Sequence, residues 1–188
     1  MGRLIYNLNV SLDGFVETPD HRLDWGLVDD ELHAWFNEIT ARLDATIYGR
    51  RVYQTMNGHW PTADQDPAAT ETERAFARIW QALPKFVFSR SLETVDGNAR
   101  LVSGDVRERY AEIRAQVAGD IDVAGATLAA QFLKAGLVDV IQAVVHPVVI
   151  GGGLPFLPPL EQAMRLRLEH TRTFGTGVVV LSYTVLRD

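Results

Sequence analysis

Residues able to do chemistry gather in a few short runs: Ser11-Leu12-Asp13-Gly14-Phe15, Gly49-Arg50-Arg51, Ser89-Arg90-Ser91, Ala124-Gly125-Ala126-Thr127-Leu128 and Ile150-Gly151-Gly152-Gly153. The first offers a hydroxyl, a carboxylate and a turn glycine. In the second, a missing side chain lets a phosphate approach backbone N–H groups at a helix start, where an arginine can neutralise it. The third supplies hydroxyls and a guanidinium suited to a phosphate monoester. Small residues in the fourth bring a helix start close to a ligand, with Thr127 as a hydroxyl donor, and the glycines of the fifth can form a concave run of backbone donors. Each run also has a plain structural reading: a tight turn, solvated loop polarity, close helix packing or a flexible exit loop.

The chemistry open to these residues is bounded by composition. The chain of 188 residues contains no cysteine. Disulfides, thiolate metal sites and thiol nucleophiles are therefore excluded, leaving hydroxyls, carboxylates, imidazoles or a bound cofactor. The histidines at 21, 33, 59, 146 and 170 show no H-x-x-x-H spacing, so no metal site is expected. No G-x-G-x-x-G, Walker A or G-x-S-x-G pattern occurs, which removes support for a classical Rossmann dehydrogenase, a P-loop NTPase and an α/β-hydrolase. A net charge of -6 without a Lys/Arg cluster gives no footprint for nucleic acid. No apolar run approaches the roughly 20 residues of a membrane span, and the amino terminus lacks a signal-peptide arrangement, so a cytoplasmic protein is expected.

The runs sit at junctions of a repeating strand and helix pattern. Residues 3 to 10 alternate as a strand. Leu32, Trp35, Phe36, Ile39 and Leu43 recur at helical spacing behind the capping residues Asp29 and Asp30. Residues 45 to 48 form a strand that stops at Gly49, with a helix over 50 to 57. Phe76, Ile79, Trp80 and Leu83 mark a helix closed by Pro84, before a buried strand over 85 to 88. A strand over 99 to 102, a helix through Val106, Tyr110, Ile113 and Val117, a strand over 121 to 124 and a helix ending near Gly136 follow. The apolar run from Leu137 to Ile150 predicts a central strand bulged near Pro147, and residues 165 to 172 and 178 to 186 predict an antiparallel hairpin. One α/β domain over residues 1 to 188 is expected, its mostly parallel sheet covered by helices on both faces, with functional residues outside the carboxyl ends of the strands. His146, inside an apolar run, reads as a satisfied core or pocket-lining histidine. Trp25 and Trp60 fall outside the clear helical faces, where packing and a role in the pocket both remain open.

In order along the chain, S-L-D-G-F at 11 to 15, D-W at 24 and 25, Y-G-R-R-V-Y at 48 to 53, F-S-R-S-L at 88 to 92, V-A-G-A-T-L at 123 to 128 and H-P-V-V-I-G-G-G-L-P-F at 146 to 156 resemble the dihydrofolate-reductase superfamily. The branch with the reductase domain of riboflavin biosynthesis is the nearest in pattern. The resemblance implies a dihydrofolate-reductase-like fold and an oxidoreductase that uses NADPH to reduce a small heterocycle of pyrimidine or pterin type. It places Gly49, Arg50 and Arg51 at the cofactor phosphates, Ser89, Arg90 and Ser91 at the adenosine end, and Gly125, Ala126, Thr127 and Leu128 at the pyrophosphate. Ser11, Leu12 and Asp13 would lie near the nicotinamide, with Trp25, Trp60 and the loop Gly151, Gly152, Gly153 on the substrate side.

Two departures stand out. Ala124 precedes Gly125 where the family usually has a second glycine, and the helix position that carries a carboxylate in dihydrofolate reductases falls on Leu32. Asp13 is then the first candidate for proton relay or orientation and Glu31 the second. A dinucleotide-binding module without turnover, or a scaffold, is the alternative. Alternating apolar residues on both faces of the terminal hairpin, Val178, Val180 and Leu186 against Val179, Leu181, Tyr183 and Val185, also lead us to expect a homodimer.

Overall fold

The computed structural model describes residues 2–187. β1 (Leu4–Ser11) leads through the short β2 (Phe15–Glu17) into α1 (Asp30–Thr40). β3 (Ala45–Gly49) passes directly into α2 (Arg50–Asn57), and α3 (Glu71–Ala82) precedes β4 (Lys85–Phe88) and β5 (Ala99–Val102). α4 (Val106–Arg114), β6 (Ile121–Ala124), α5 (Ala126–Lys134), β7 (Val140–His146), the two-residue β8 (Leu154–Pro155) and the hairpin β9 (Leu166–Thr173) and β10 (Val179–Val185) complete the chain.

Among the described residues, the main sheet has eight strands in the order β5-β4-β3-β6-β1-β7-β10-β9. Pairing is parallel from β5 through β7, and β10 and β9 are antiparallel. All the strands that feed helices therefore end on one edge. One face is closed by α4 and α5, whose Tyr110, Ile113, Leu128 and Phe132 bury Leu4, Tyr6, Ile47, Ile121 and Val123. On the other face the apolar cover falls into separate groups. Leu32 and Trp35 of α1 lie over Val144, Val178 and Val180, while Phe76 and Trp80 of α3 lie over Tyr48 and Val87. Between those groups, on β1 and β6, this face carries Asn7, Asn9 and Asp122.

Capping chemistry sets where the helices begin. Asp29 accepts the Leu32 N–H at 2.9 Å, a Thr70–Glu73 capping box opens α3, and Asp105 accepts the N–H groups of Arg107 and Glu108 at the start of α4. At the far end of α3 the buried Lys85 ammonium donates to the carbonyls of Trp80 and Leu83 and to Asn98 Oδ1. A cation at helix carbonyls complements the negative end of the helix dipole. Burial nevertheless pulls its pKa down to about 8.

Some expectations need correction. The run from Leu137 to Ile150 is not one bulged strand: β7 stops at His146, and Pro147, which has no N–H to donate to a ladder, begins a turn closed by Val148 N–H to His146 O at 2.8 Å. α1 ends at Thr40, before Leu43. Val178 and Val180 are buried, whereas Val179, Leu181, Tyr183 and Val185 on the opposite face of the hairpin are half-buried within one chain. Among the described residues no helix is long and apolar enough to cross a membrane.

Candidate active site

α2 begins at Gly49 and α5 at Gly125, on the neighbouring strands β3 and β6. A Cβ at Gly49 would stand 3.6 Å from Leu128 Cβ, so the two helix starts lie side by side. Neither has a side chain capping it, in contrast to α1, α3 and α4. The first-turn amides of α2 and α5 have no carbonyl of their own helix to bond, and together with the positive ends of two dipoles they favour an anion. Arg50 is exposed and makes no ion pair or side-chain hydrogen bond among the described residues. Thr127 is also exposed, but the Leu128 side chain is 7% exposed and belongs to the core, which leaves only its backbone for a ligand.

Gly125 adopts φ +97, and a Cβ there would lie 2.6 Å from Val52 Cγ2. Glycine is thus required by the backbone and by the contact of α2 with this junction. Substitution by valine would disturb packing together with any ligand contact.

Arg51 does not point its charge at this junction. Its Nη1 and Nη2 donate to Glu17 Oε1 and Oε2 at 3.2 and 2.8 Å, and His21 Nδ1 lies 2.8 Å from Glu17 Oε1. Burial opposes ionisation of Glu17, but the Arg51 and His21 contacts outweigh it and its pKa falls below the ordinary carboxylate value. Glu17 also backs the glycine loop: a Cβ on Gly153, at φ +131, would fall 1.8 Å from the Glu17 backbone oxygen. Only glycine lets β8 lie this close to β2.

Asp13 grips the same loop. Its carboxylate oxygens accept the N–H groups of Ile150 at 3.2 Å and Gly151 at 2.7 Å. Hydrogen bonding to Ser11 is the main cause of its lowered pKa, and the loop amides act in the same direction. With both oxygens engaged by loop amides, the geometry makes Asp13 a holder of the loop. Ser11, 1% exposed, accepts the Phe15 N–H at its hydroxyl oxygen (3.0 Å), while Leu12, exposed, donates its N–H to Val148 O at 2.8 Å. Glu31 does not reach the cleft. It faces the hairpin turn, 3.4 Å from Gly175 N and 3.5 Å from Arg172, because Leu32 beside it fills the core.

Ser89 builds a local turn, its hydroxyl oxygen accepting the N–H groups of Ser91 and Leu92 at 3.1 and 3.0 Å. Arg90 and Ser91 are exposed on the same edge, beyond β4.

On the other side of β1, His146 is fully buried. Its Nδ1 accepts the Leu27 N–H at 3.1 Å, so the proton sits on Nε2, which donates to Asn9 Oδ1 at 3.0 Å. Trp25 meets the imidazole edge-on at 5.5 Å, and its indole N–H is buried without a partner among the described residues. His146 thereby fixes the 25–27 segment over the carboxyl ends of β1 and β7. Trp60 stacks edge-on against Phe76 at 4.5 Å and faces His33 of α1 at 6.0 Å, a packing role on the α3 side. Glu17, Asn9 and Asp122 escaped the sequence reading, because contacts between residues far apart in the chain leave no local spacing signal.

The Bacillus subtilis (strain 168) protein YyaP, described as uncharacterized, is 31% identical over 182 residues, covering 96% of this chain and 94% of its own. A putative riboflavin biosynthesis protein from Shewanella sp. PV-4 superposes with a TM-score of 0.77 at 21% identity, covering 98% of this chain and 99% of that one. Dihydrofolate reductase from Enterococcus faecalis, complexed with NADP(H) and RAB-propyl, superposes with a TM-score of 0.63 at 14% identity over 98% and 95%. These superpositions establish a dihydrofolate-reductase-like fold. The family model described as RibD C-terminal domain matches residues 3–180. The chain belongs to the RibD C-terminal domain family.

Proposed function

We propose that this protein is an NADPH-dependent reductase that transfers hydride to a small heterocycle of pyrimidine or pterin type. The carrying observation is the pair of uncapped helix starts at Gly49 and Gly125, with the unpaired Arg50 guanidinium beside them. The first-turn amides of α2 and α5 with Arg50 and Thr127 would hold the pyrophosphate, and Arg90 and Ser91 the adenosine 2′-phosphate. NADP(H) in the Enterococcus faecalis neighbour supports this reading.

The bound dinucleotide would supply the hydride. The chain's residues supply position and exclusion of water. Asp13 and Glu17 hold the glycine loop against β2, and His146 holds Trp25, so both walls of the pocket are set before a ligand arrives. A ribosylaminopyrimidine phosphate, the substrate of the riboflavin-type reaction, would in addition need a cationic phosphate site on the substrate side. The Arg51 guanidinium reaches Glu17, which backs the glycine loop, and its charge is already engaged there.

Following NADPH consumption across a panel of pterins and pyrimidines tests the proposal. Substrate-dependent oxidation with at least one of them is expected. NADPH binding without turnover of any would leave a silent dinucleotide binder and overturn the reductase assignment.

A further inference from the structure

Among the described residues, three buried oxygens on the open face of the sheet have no hydrogen-bond partner: Asn7 Oδ1, Thr46 Oγ1 and Asp122 Oδ1. They come from adjacent strands. Thr46 is the register partner of Asp122 across β3 and β6, and Asp122 that of Ile5 across β6 and β1, with Asn7 two residues further along the same side of β1. The β1–β6 ladder ends at the Ile5–Asp122 pair, whereas β1 continues to pair with β7 as far as Ser11. The sheet therefore opens beside this group. α1 packs over β7 and β10, and α3 over β3 and β4, leaving a floor between them that neither apolar group covers. Ile5, Asn7, Asn9, Asp122 and Gln142, all on interior strands, stay half-exposed on this face.

Buried polar atoms in native proteins are almost always paired, and each one left alone is costly. The Asn7 backbone amide and the Thr46 side chain act more weakly than burial on the Asp122 carboxyl, yet Asn7 Oδ1, Thr46 Oγ1 and Asp122 Oδ1 complete no hydrogen bond among the described residues and together are open to a further partner. Burial pushes the Asp122 carboxyl up to about 7, with the Asn7 backbone amide and the Thr46 side chain acting in the opposite direction. A neighbouring donor that bonds the charged form would offset that burial.

We propose that Asn7, Thr46 and Asp122 form the specificity-determining floor of the pocket, where Asp122 accepts an N–H donor from the edge of a bound planar ring and Asn7 Oδ1 a second. The inference rests on the reductase reading for the place of the cleft, though not for the chemistry of the floor. It puts the selective carboxyl on a central strand, not on α1, where Glu31 faces away and Leu32 is core.

The test uses the whole chain without NADPH and two ring probes: 2,4-diaminopyrimidine, which presents N–H donors, and pyrimidine, which presents none. Chemical-shift titration is expected to show that the diamino probe binds at the Asn7 and Asp122 resonances and that pyrimidine does not. Asp122→Asn, which preserves shape and removes the charge, should weaken the diamino probe about tenfold, the size of a lost charge-assisted hydrogen bond. NADPH affinity, measured in parallel, should be unchanged in Asp122→Asn. Equal binding of both probes, no binding of either, or an undiminished affinity in Asp122→Asn would overturn the proposal. Should Asp122→Asn fail to fold, Asn7→Ser and Thr46→Val carry the same comparison, with weakened diamino binding expected and wild-type binding contradicting it. Absence of NADPH binding to the wild type would count against the reductase reading alone.

Discussion

Single residues here divide between those whose role follows from type and spacing and those fixed by partners remote in sequence. Gly49 and Gly125 belong to the first group, because a glycine at a strand-to-helix junction carries its own signal. Gly125 shows the limit of that signal: its φ of +97 and the proximity of Val52 make it a packing residue as well. Asp13 was visible as a carboxylate in a turn, but its grip on Ile150 and Gly151 spans 137 and 138 residues and has no local pattern.

His146 belongs to the second group and carries a pH dependence. Burial lowers its pKa, so the fold favours the neutral imidazole that accepts the Leu27 N–H. The unfolded chain binds the proton more readily. The stability contributed by neutral His146 is thus fully present above the ordinary imidazole value of about 6.5 and is lost as pH falls through the lower folded-state value. Melting curves from about pH 8 to about pH 5 should show a smaller loss of stability in His146→Gln than in the wild type. Parallel profiles would contradict the assignment. The comparison of variants matters because burial also lowers the pKa of His33.

At the scale of elements, helices and long strands were legible because apolar periodicity, caps and terminators agreed. Asp29 before α1, Pro84 after α3 and Gly136 after α5 all mark true boundaries. β2 and β8 were not legible, since three and two residues are too few to show a period. Pro147 led to an expected bulge because an apolar sequence continues past it, while the ladder itself does not. The hairpin was recognised, but its second face receives more cover from its own chain than alternation suggested. What remains open to a partner is the outer strand β9, an unpaired edge that exposes Leu166 (37%) and Leu168 (51%). Pairing of two copies through this edge is expected, so light scattering at micromolar concentration should give about twice the chain mass of 20.9 kDa. A monomer mass would refute it.

For the whole molecule, the parallel order from β5 to β7 brings the ends of β3, β6, β1 and β7 to one edge and there assembles two uncapped helix starts, a pinned glycine loop and a half-covered polar floor. The β/α alternation and the run of motifs made the fold readable. The floor was not, because its members are ordinary strand residues until the sheet register sets them side by side and the helices leave them uncovered. On the proposed function, the α2 and α5 starts would hold a phosphorylated dinucleotide. Calorimetric titration of NADPH and NADH into the wild type and Arg50→Ala tests this most directly. NADPH should bind more tightly than NADH, and Arg50→Ala should weaken NADPH by about 1.5 to 3 kcal/mol with little change in melting temperature. Equal affinity for both cofactors, no binding of either, or an Arg50→Ala variant that binds NADPH like the wild type would contradict the account.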